Sequence, residues 1–389
     1  MSSPPGTRLR YEVRLPRDPM TADRLRHAAR RLYLAGRAGL LLSAGLLRRR
    51  ERRPPSPSAV ARLLVVRTDR VGDMVLTTAA LTDLREHFRQ AEITRLAPPG
   101  PLELLRAHPA VDRLVPLSAA GLPRDLVGRF DLAIDFTSDE SLRGALLVKR
   151  SRARWRAGLR GAGREVFFNL SGPRADQARH VADLGRDLAA FLGAAPRAAA
   201  PVLYVTNEEK GEAQARLAAL GAGVPRVAIH PGGFYPSQRW SPERFAELIS
   251  ALTGRTGAAC VVLAGPGEED LARRIGAATT DALQAGPLTL RSLMAMIACC
   301  DLFIGNNSGP LHIAGALGVP TVSLMGPTDP RRFAPRGPAD RVLRRPLPCS
   351  PCRRGHCWHH TCLRAVEPGE ALAEAEAALA ALLPQEEAR

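Results

Sequence analysis

The apolar and polar positions divide the chain into short buried runs that end in small-residue turns, each followed by a helix-period segment. Asp301 to Pro330 shows this most clearly. Leu302-Phe303-Ile304 predicts a buried strand that breaks at Gly305, and the turn Asn306-Asn307-Ser308-Gly309 leads into an apolar, helix-period run from Leu311 to Leu317. A second strand over Pro320 to Met325 ends in Gly326-Pro327-Thr328-Asp329-Pro330. Strand, glycine turn, helix and strand make half of a nucleotide-binding α/β unit, in which free N–H groups at the helix start hold a phosphate. Pro310 suits a first helical position. His312, in the first turn, adds an imidazole to the volume faced by those N–H groups. The plainer alternative is that the glycines only make tight turns and the histidine is structural.

The pattern recurs upstream. Arg62 to Arg67 predicts a central parallel strand, followed by a turn and a helix from Met74 to about Phe88. Asp73 falls at the expected N-cap, where an aspartate ordinarily satisfies helix N–H groups. It also stands at the tip of the first strand, where doubly wound sheets bind ligands. Strands at Glu92–Leu96, Arg113–Leu117 and Asp131–Phe136 alternate with helices, and Asp135, at the end of the last, reads as part of a solvent-facing turn, with a place facing the cleft as the alternative. A second series starts at Val227-Ala228-Ile229 and runs into His230-Pro231-Gly232-Gly233, another turn with N–H groups to offer a phosphate. Cys260 to Ala264 then ends at Gly265-Pro266-Gly267, where Glu268, with Glu269 as the alternative, is placed to accept from ribose hydroxyls or simply to start a helix. The fold class expected is α/β, with two Rossmann-like domains facing a central cleft. The two domains would span residues 59–200 and 201–389, the second ending in a closing helix from Glu370 to Leu383.

Charge changes the picture at the N-terminus. The formal net charge is +17, and only Lys149 and Lys210 are lysines. Residues 1–58 alone carry fourteen arginines against four acids, with the apolar stretch Leu32 to Leu47 beside Arg48-Arg49-Arg50-Glu51-Arg52-Arg53. Such an arm suits an anionic membrane surface, or else is a disordered extension ahead of a folded start near Ala61. Aromatic residues at 4% are too sparse for base stacking, so phosphorylated sugar or lipid, and no nucleic acid, is the expected partner. The arginines between 150 and 180 are candidate phosphate contacts or plain solvated surface. No apolar run approaches 18 residues and no signal-peptide pattern opens the chain. The expected location is therefore cytoplasmic, with reduced cysteines, and peripheral attachment to the cytoplasmic face of the inner membrane is the alternative that the basic arm leaves open. Cys349, Cys352, Cys357 and Cys362 have spacing compatible with a structural zinc, without a confident metal assignment. No cofactor is expected.

Three motifs resemble glycosyltransferase family 9, the bacterial heptosyltransferases. GNNSGPLHIAGALGVPTVSLMGPTDP is similar to the family's D-[ST]-G-x-x-H and G-P-T-[DS]-P signature, with Asn307 in place of the acid. RTDRVGDMVLTTAAL resembles its N-terminal motif at Arg67, Gly72, Asp73, Thr77 and Leu81, with Ala79 where proline is usual. SQRWSPERF resembles a helix-start motif whose lysine falls on Gln238, beside Arg239, and whose Trp240 belongs to the core. The resemblance implies the GT-B architecture, with residues 59–200 as acceptor domain and 201–389 as donor domain, ADP-heptose as donor, and lipopolysaccharide core or a lipid-linked glycan as acceptor. It implies Asp73 as general base in an inverting transfer. Gly232, Gly233, Arg239, Glu268, Asn307, Ser308, Gly309 and His312 are the expected donor-binding residues. Two rivals stand beside it: a catalytically degenerate sugar-nucleotide-binding protein, and a dinucleotide-dependent oxidoreductase, against which no G-x-G-x-x-G follows any predicted strand.

Overall fold

The computed structural model describes residues 19–45, 53–197, 200–352 and 354–382. Parts of the basic arm, at 1–18 and 46–52, and the final residues from 383 onward lie outside the described residues. After α1 (Pro19–Gly45), the first domain alternates strands and helices: β1 (Arg62–Val66), α2 (Val71–Leu76), α3 (Thr78–His87), β2 (Glu92–Ala97), α4 (Pro99–Leu102) and β3 (Arg113–Pro116). It continues with β4 (Leu132–Asp135), α5 (Arg143–Arg150), β5 (Trp155–Arg160), β6 (Leu170–Arg174) and α6 (Val181–Phe191). The second domain starts with α7 (Asn207–Leu217), β7 (Arg226–His230), α8 (Pro242–Thr256), β8 (Ala259–Leu263), α9 (Glu269–Ala278), β9 (Ala282–Ala285) and α10 (Leu290–Ala298). It ends with β10 (Leu302–Asn306), α11 (Gly309–Ala316), β11 (Thr321–Leu324), α12 (Pro330–Phe333), β12 (Arg341–Leu343), α13 (Thr361–Arg364) and α14 (Pro368–Ala380).

The two sheets have the same winding. Their orders are β3-β2-β1-β4-β5-β6 and β12-β11-β10-β7-β8-β9, and every pair is parallel. Strand order reverses between β1 and β4 in one sheet and between β7 and β10 in the other, and doubly wound sheets open a crevice at such a point. The continuous apolar runs of the sequence are the central strands: Leu63 to Val66 and Leu302 to Ile304 are fully buried, as strands covered on both faces must be. This is the architecture expected for GT-B.

Local details differ from the sequence reading. The helix expected from Met74 starts earlier, at Val71, so its N-cap is Arg70 and Asp73 sits inside the first turn. It also breaks at Thr77, even though Ala79 supplies no proline. Thr77 and Thr78 donate their hydroxyls back to Met74 O and Val75 O, each at 2.8 Å, and such bonds compete with the helical ladder. The closing helix α14 packs on the second domain, against α8 and the strands β10 to β12. Asp135 does not face solvent; it is fully buried, and its Oδ1 accepts Thr137 N–H.

Two features fix the cleft. In the second domain, buried Asn306 at the end of β10 accepts from Trp240 N and donates to Pro231 O and Gly232 O. Trp240, with its indole N–H on Val366 O, fills the core beneath. Between the domains, the first turns of α2 and α11 abut. A Cβ on Gly72 would lie 2.6 Å from His312 Cδ2, and one on Gly309 would lie 2.7 Å from Val71 Cγ1. Both positions therefore require the absence of a side chain.

Trp240→Ala is expected to cost about 3–5 kcal/mol of stability in chemical denaturation, the range for a large buried aromatic. Gly72→Ala is expected to cost about 1–3 kcal/mol by overpacking. Gly211→Ala is the control: it is exposed inside α7 with nothing near a new Cβ, so it should gain up to about 1 kcal/mol in the same chemical denaturation series.

Candidate active site

A cleft of about 700 Å³ runs between the domains at the two switch points. Its first-domain wall is organised by Arg67, buried at the end of β1. This one guanidinium donates from Nε to Asp69 Oδ1 at 2.7 Å, from Nη1 to Phe136 O at 2.6 Å and from Nη2 to Asp73 Oδ1 at 3.2 Å. It ties the turn after β1 to the chain leaving β4, and it fixes the Asp73 carboxylate. Burial and the neighbouring Asp69 carboxylate raise the Asp73 carboxyl, Arg67 opposes them, Asp139 adds to the rise and Arg70 again opposes, leaving it at about 6. A carboxylate so placed is ionised near neutral pH yet more basic than an ordinary aspartate.

The opposite wall is the N-terminus of α11. Its N-cap Ser308 makes no side-chain cap, and Ser308 Oγ and Asn307 Nδ2 are buried atoms without a protein hydrogen-bond partner. Asn307 is only 6% exposed, so an unpaired amide there is a donor prepared for a ligand. Asn307, Ser308, Gly309 and His312 all line the cleft. Burial, reinforced by His180, lowers the His312 imidazole to about 4. It is therefore neutral near pH 7 and offers a neutral hydrogen bond, not a cation.

Glu268 lies deeper in the same cleft. Burial alone would raise its carboxyl, but the hydrogen bond and charge of His230 and the N–H groups of Gly265 and Gly233 bring it to about 2. His230 Nε2 is 3.0 Å and Gly265 N is 2.9 Å from Glu268 Oε2. Gly232 leaves room for this acid, since a Cβ there would meet Glu268 Oε1 at 1.8 Å. Thus Gly233 lines the cleft, whereas Gly232 is buried behind Glu268, and the Gly233 N–H serves a carboxylate where the sequence had suggested a phosphate. Glu269 is exposed at the start of α9 and stands outside the cleft lining.

Gln238, in the lysine position of the resembling motif, is a tie between turns. Its Oε1 accepts Tyr235 N–H at 3.3 Å and its Nε2 donates to Thr328 Oγ1 at 3.1 Å. Arg239 lines the cleft with Nε on Gly233 O at 2.8 Å. Arg70 reaches across from the first domain, donating to Tyr235 Oη at 2.8 Å with its guanidinium 3.9 Å from the Phe234 ring centre. Sequence reasoning missed Arg70 as a cleft residue, and with it Asp139, Arg332 and Arg354. Position could have pointed to two of them, since Arg70 lies inside the first motif and Arg332 follows G-P-T-D-P on α12; Asp139 and Arg354 sit in loops without a pattern.

Some candidates lie elsewhere. None of the arginines between 150 and 180 lines the cleft: Arg164 is buried and donates to Thr137 O and Gly161 O, and Arg156 donates to the carbonyls of Ala153 and Phe167. His180 caps α6 and meets Ala334 O at 3.1 Å, a bridge between domains. Among the described residues, no group of three or more His, Cys, Asp or Glu side chains is arranged to hold a metal. Cys349, Cys352, Cys357 and Cys362 belong instead to a strap behind the second-domain wall. Ser350 Oγ bonds Gly326 O at 2.8 Å, Cys352 N bonds Pro327 O at 3.0 Å, and His360 Nε2 meets Ser237 O at 2.7 Å.

Comparisons with known proteins agree with this geometry. The chain is 26% identical over 320 residues to lipopolysaccharide heptosyltransferase 1 of Pseudomonas aeruginosa, covering 77% of this chain and 88% of the relative. It is 28% identical over 357 residues to lipopolysaccharide heptosyltransferase 2 of Escherichia coli K12, covering 84% of this chain and all of the relative. The solved structure of E. coli ADP-heptose lps heptosyltransferase II superposes with a TM-score of 0.71 at 25% identity, over 82% of this chain and 99% of that one. The profile of glycosyltransferase family 9 (heptosyltransferase) matches residues 120–362, and the chain belongs to that family.

Proposed function

We propose that this protein is an inverting glycosyltransferase that moves heptose from ADP-heptose to a sugar hydroxyl of lipopolysaccharide core or a related lipid-linked glycan. One observation carries the reading: the α2 turn bearing Asp73 is packed directly against the α11 N-terminus, whose Asn307 amide and Ser308 hydroxyl have no protein partner. A base and an anion cradle thus face one volume. The acceptor hydroxyl gives its proton to the Asp73 carboxylate as its oxygen bonds to the anomeric carbon, and the bond from that carbon to the diphosphate breaks. The charge left on the diphosphate is received by the N–H groups starting α11, by Asn307 and Ser308, by neutral His312 and by the Arg239 guanidinium. Glu268, held ionised, is placed to accept from the ribose hydroxyls of the donor. No D-x-D sequence occurs in the chain, which supports a transfer in which these groups alone hold the diphosphate.

All seven cysteines are free thiols, which supports a cytoplasmic location, and no described helix is long and apolar enough to cross a membrane. The second reading, a sugar-nucleotide-binding protein without transfer activity, is favoured by Asn307 and Gln238, which replace a family acid and a family lysine. The deciding experiment is incubation of the purified protein with ADP-heptose and a panel of truncated core acceptors, followed by mass spectrometry. A product heavier by one heptose supports transfer; ADP-heptose binding without product supports the second reading.

Asp73→Asn is expected to abolish transfer while leaving ADP affinity within a few-fold of wild type, because an amide cannot take the proton. In the wild type, kcat/KM should fall as pH drops through about 6, where Asp73 gains a proton and ceases to be a base. Isothermal titration with ADP should show Arg239→Ala weakening binding about ten- to a hundredfold, the loss of a charged donor worth roughly 1.5–3 kcal/mol. Asn307→Ala and His312→Ala should each weaken it roughly three- to tenfold, since both lose neutral hydrogen bonds.

A further inference from the structure

Helix α1 lies outside the family match and takes no part in the catalytic geometry. It is fastened to the first domain by one side. Arg37 Nη2 donates to Glu140 O at 2.7 Å and Ala162 O at 3.1 Å, Arg30 Nε meets Glu140 Oε2 at 3.1 Å, and Leu41 packs on the core below. The backbone of Ala38 rests on Gly163, where a Cβ would come within 2.9 Å.

The other side is inverted relative to an ordinary surface helix. Helical spacing puts Leu32, Gly36 and Leu40 on one stripe, turned away from Ala38 and Leu41, with Tyr33 at its edge, where its ring centre lies 5.9 Å from the Arg37 guanidinium. Leu32 and Leu40 are each 75% exposed and Tyr33 is 65% exposed. An arginine side faces protein while an aliphatic and aromatic stripe faces outward, an arrangement that leaves apolar area uncovered. The helix itself is basic: residues 28–41 contain Arg30, Arg31 and Arg37 and no acid, and the acids beside it, Asp139 and Glu140, lie on its docked side, where Glu140 pairs with Arg30. Helix α5, which packs on the same turn at 164–167 as α1, adds exposed Arg143, Leu146, Lys149 and Arg150, again with no acid among residues 141–150. An apolar stripe set among cations matches the chemistry of an interfacial helix on anionic lipid.

Its position fits the reaction. A hollow of about 450 Å³ beneath α1 is lined by Arg30, Tyr33, Arg37 and Asp139, and Asp139 also lines the catalytic cleft. Tyr33, at the edge of the stripe, thus lies beside a hollow that shares Asp139 with the first-domain end of the cleft.

We propose that α1 is a membrane-seating element whose Leu32–Tyr33–Leu40 stripe inserts into the headgroup boundary of an anionic phospholipid leaflet, bringing the first-domain end of the cleft to the lipid surface. Delivery of a lipid-linked acceptor rests on the proposed transferase function; the seating itself does not. A helix lying in the interface plane needs no more insertion than its apolar stripe supplies, and the flanking arginines pair with headgroup phosphates.

The test is co-sedimentation of the full chain with vesicles of phosphatidylethanolamine and phosphatidylglycerol, and with vesicles of phosphatidylcholine alone. Wild type should bind the anionic vesicles at least tenfold more tightly than the neutral ones. Leu32→Ser/Tyr33→Ser/Leu40→Ser should lose at least tenfold on anionic vesicles, with an unchanged melting temperature and unchanged ADP affinity, because all three side chains are exposed. Leu32→Trp should add a component to the fluorescence that shifts to the blue on anionic vesicles. Equal binding to both vesicle types, unchanged binding by the triple variant, or no shift from the new tryptophan would overturn the proposal. So would a dimer in light scattering that the triple variant dissolves, since a second copy would then cover the stripe. Vesicle binding without any heptose transfer would leave the seating intact and count against the transferase reading alone.

Discussion

The abutment of two helix N-termini governs the site. The α2 turn carries the Asp73 carboxylate and the α11 turn the proposed anion cradle, and they meet because Gly72 admits the His312 ring and Gly309 admits the Val71 side chain. Each turn presents unpaired N–H groups and the positive end of a helix dipole, so the volume between them favours negative charge from both sides. That field would ordinarily draw a carboxylate pKa down. At Asp73, burial and the adjacent acids act the other way, and its carboxyl rises to about 6. The outcome is a carboxylate that stays basic beside a place suited to a leaving diphosphate.

Each wall depends on one buried polar side chain behind it. Arg67 holds Asp69, Asp73 and the exit of β4 in the first domain, and Asn306 holds the turns after β7 and β10 in the second. Both stand at a strand end next to a switch point. The two sheets share a winding order, so equivalent strand ends open toward each other and one cleft collects the loops of both.

Much of this was legible in the sequence. Buried strands such as Leu63–Val66 read as continuous apolar runs, and the turns at Gly72 and Gly309 read as ligand-facing because glycine follows a strand and precedes a helix. Those signals are local. What the sequence hid depends on distant partners: Asp135 looked like a turn residue yet is buried beside Arg164, and the Gly233 N–H serves Glu268, 35 positions away. The helix break at Thr77 escaped because proline was the expected signal and two back-bonding threonines produce the same result. The charge state of His312 was likewise invisible, since it follows from burial between domains. Composition marked the basic arm for a membrane or for disorder, but only the docked face of α1 shows which side chains turn outward.

The central claim is that Asp73 and the α11 N-terminus face the same diphosphate. A crystal structure of the protein with ADP tests it most directly. The account predicts diphosphate oxygens within hydrogen-bonding distance of the Gly309 N–H, Asn307 Nδ2 and Ser308 Oγ, with the terminal phosphate directed toward Asp73. A diphosphate bound instead at the Gly232–Gly233 turn, or with its terminal phosphate directed away from α2, would contradict it.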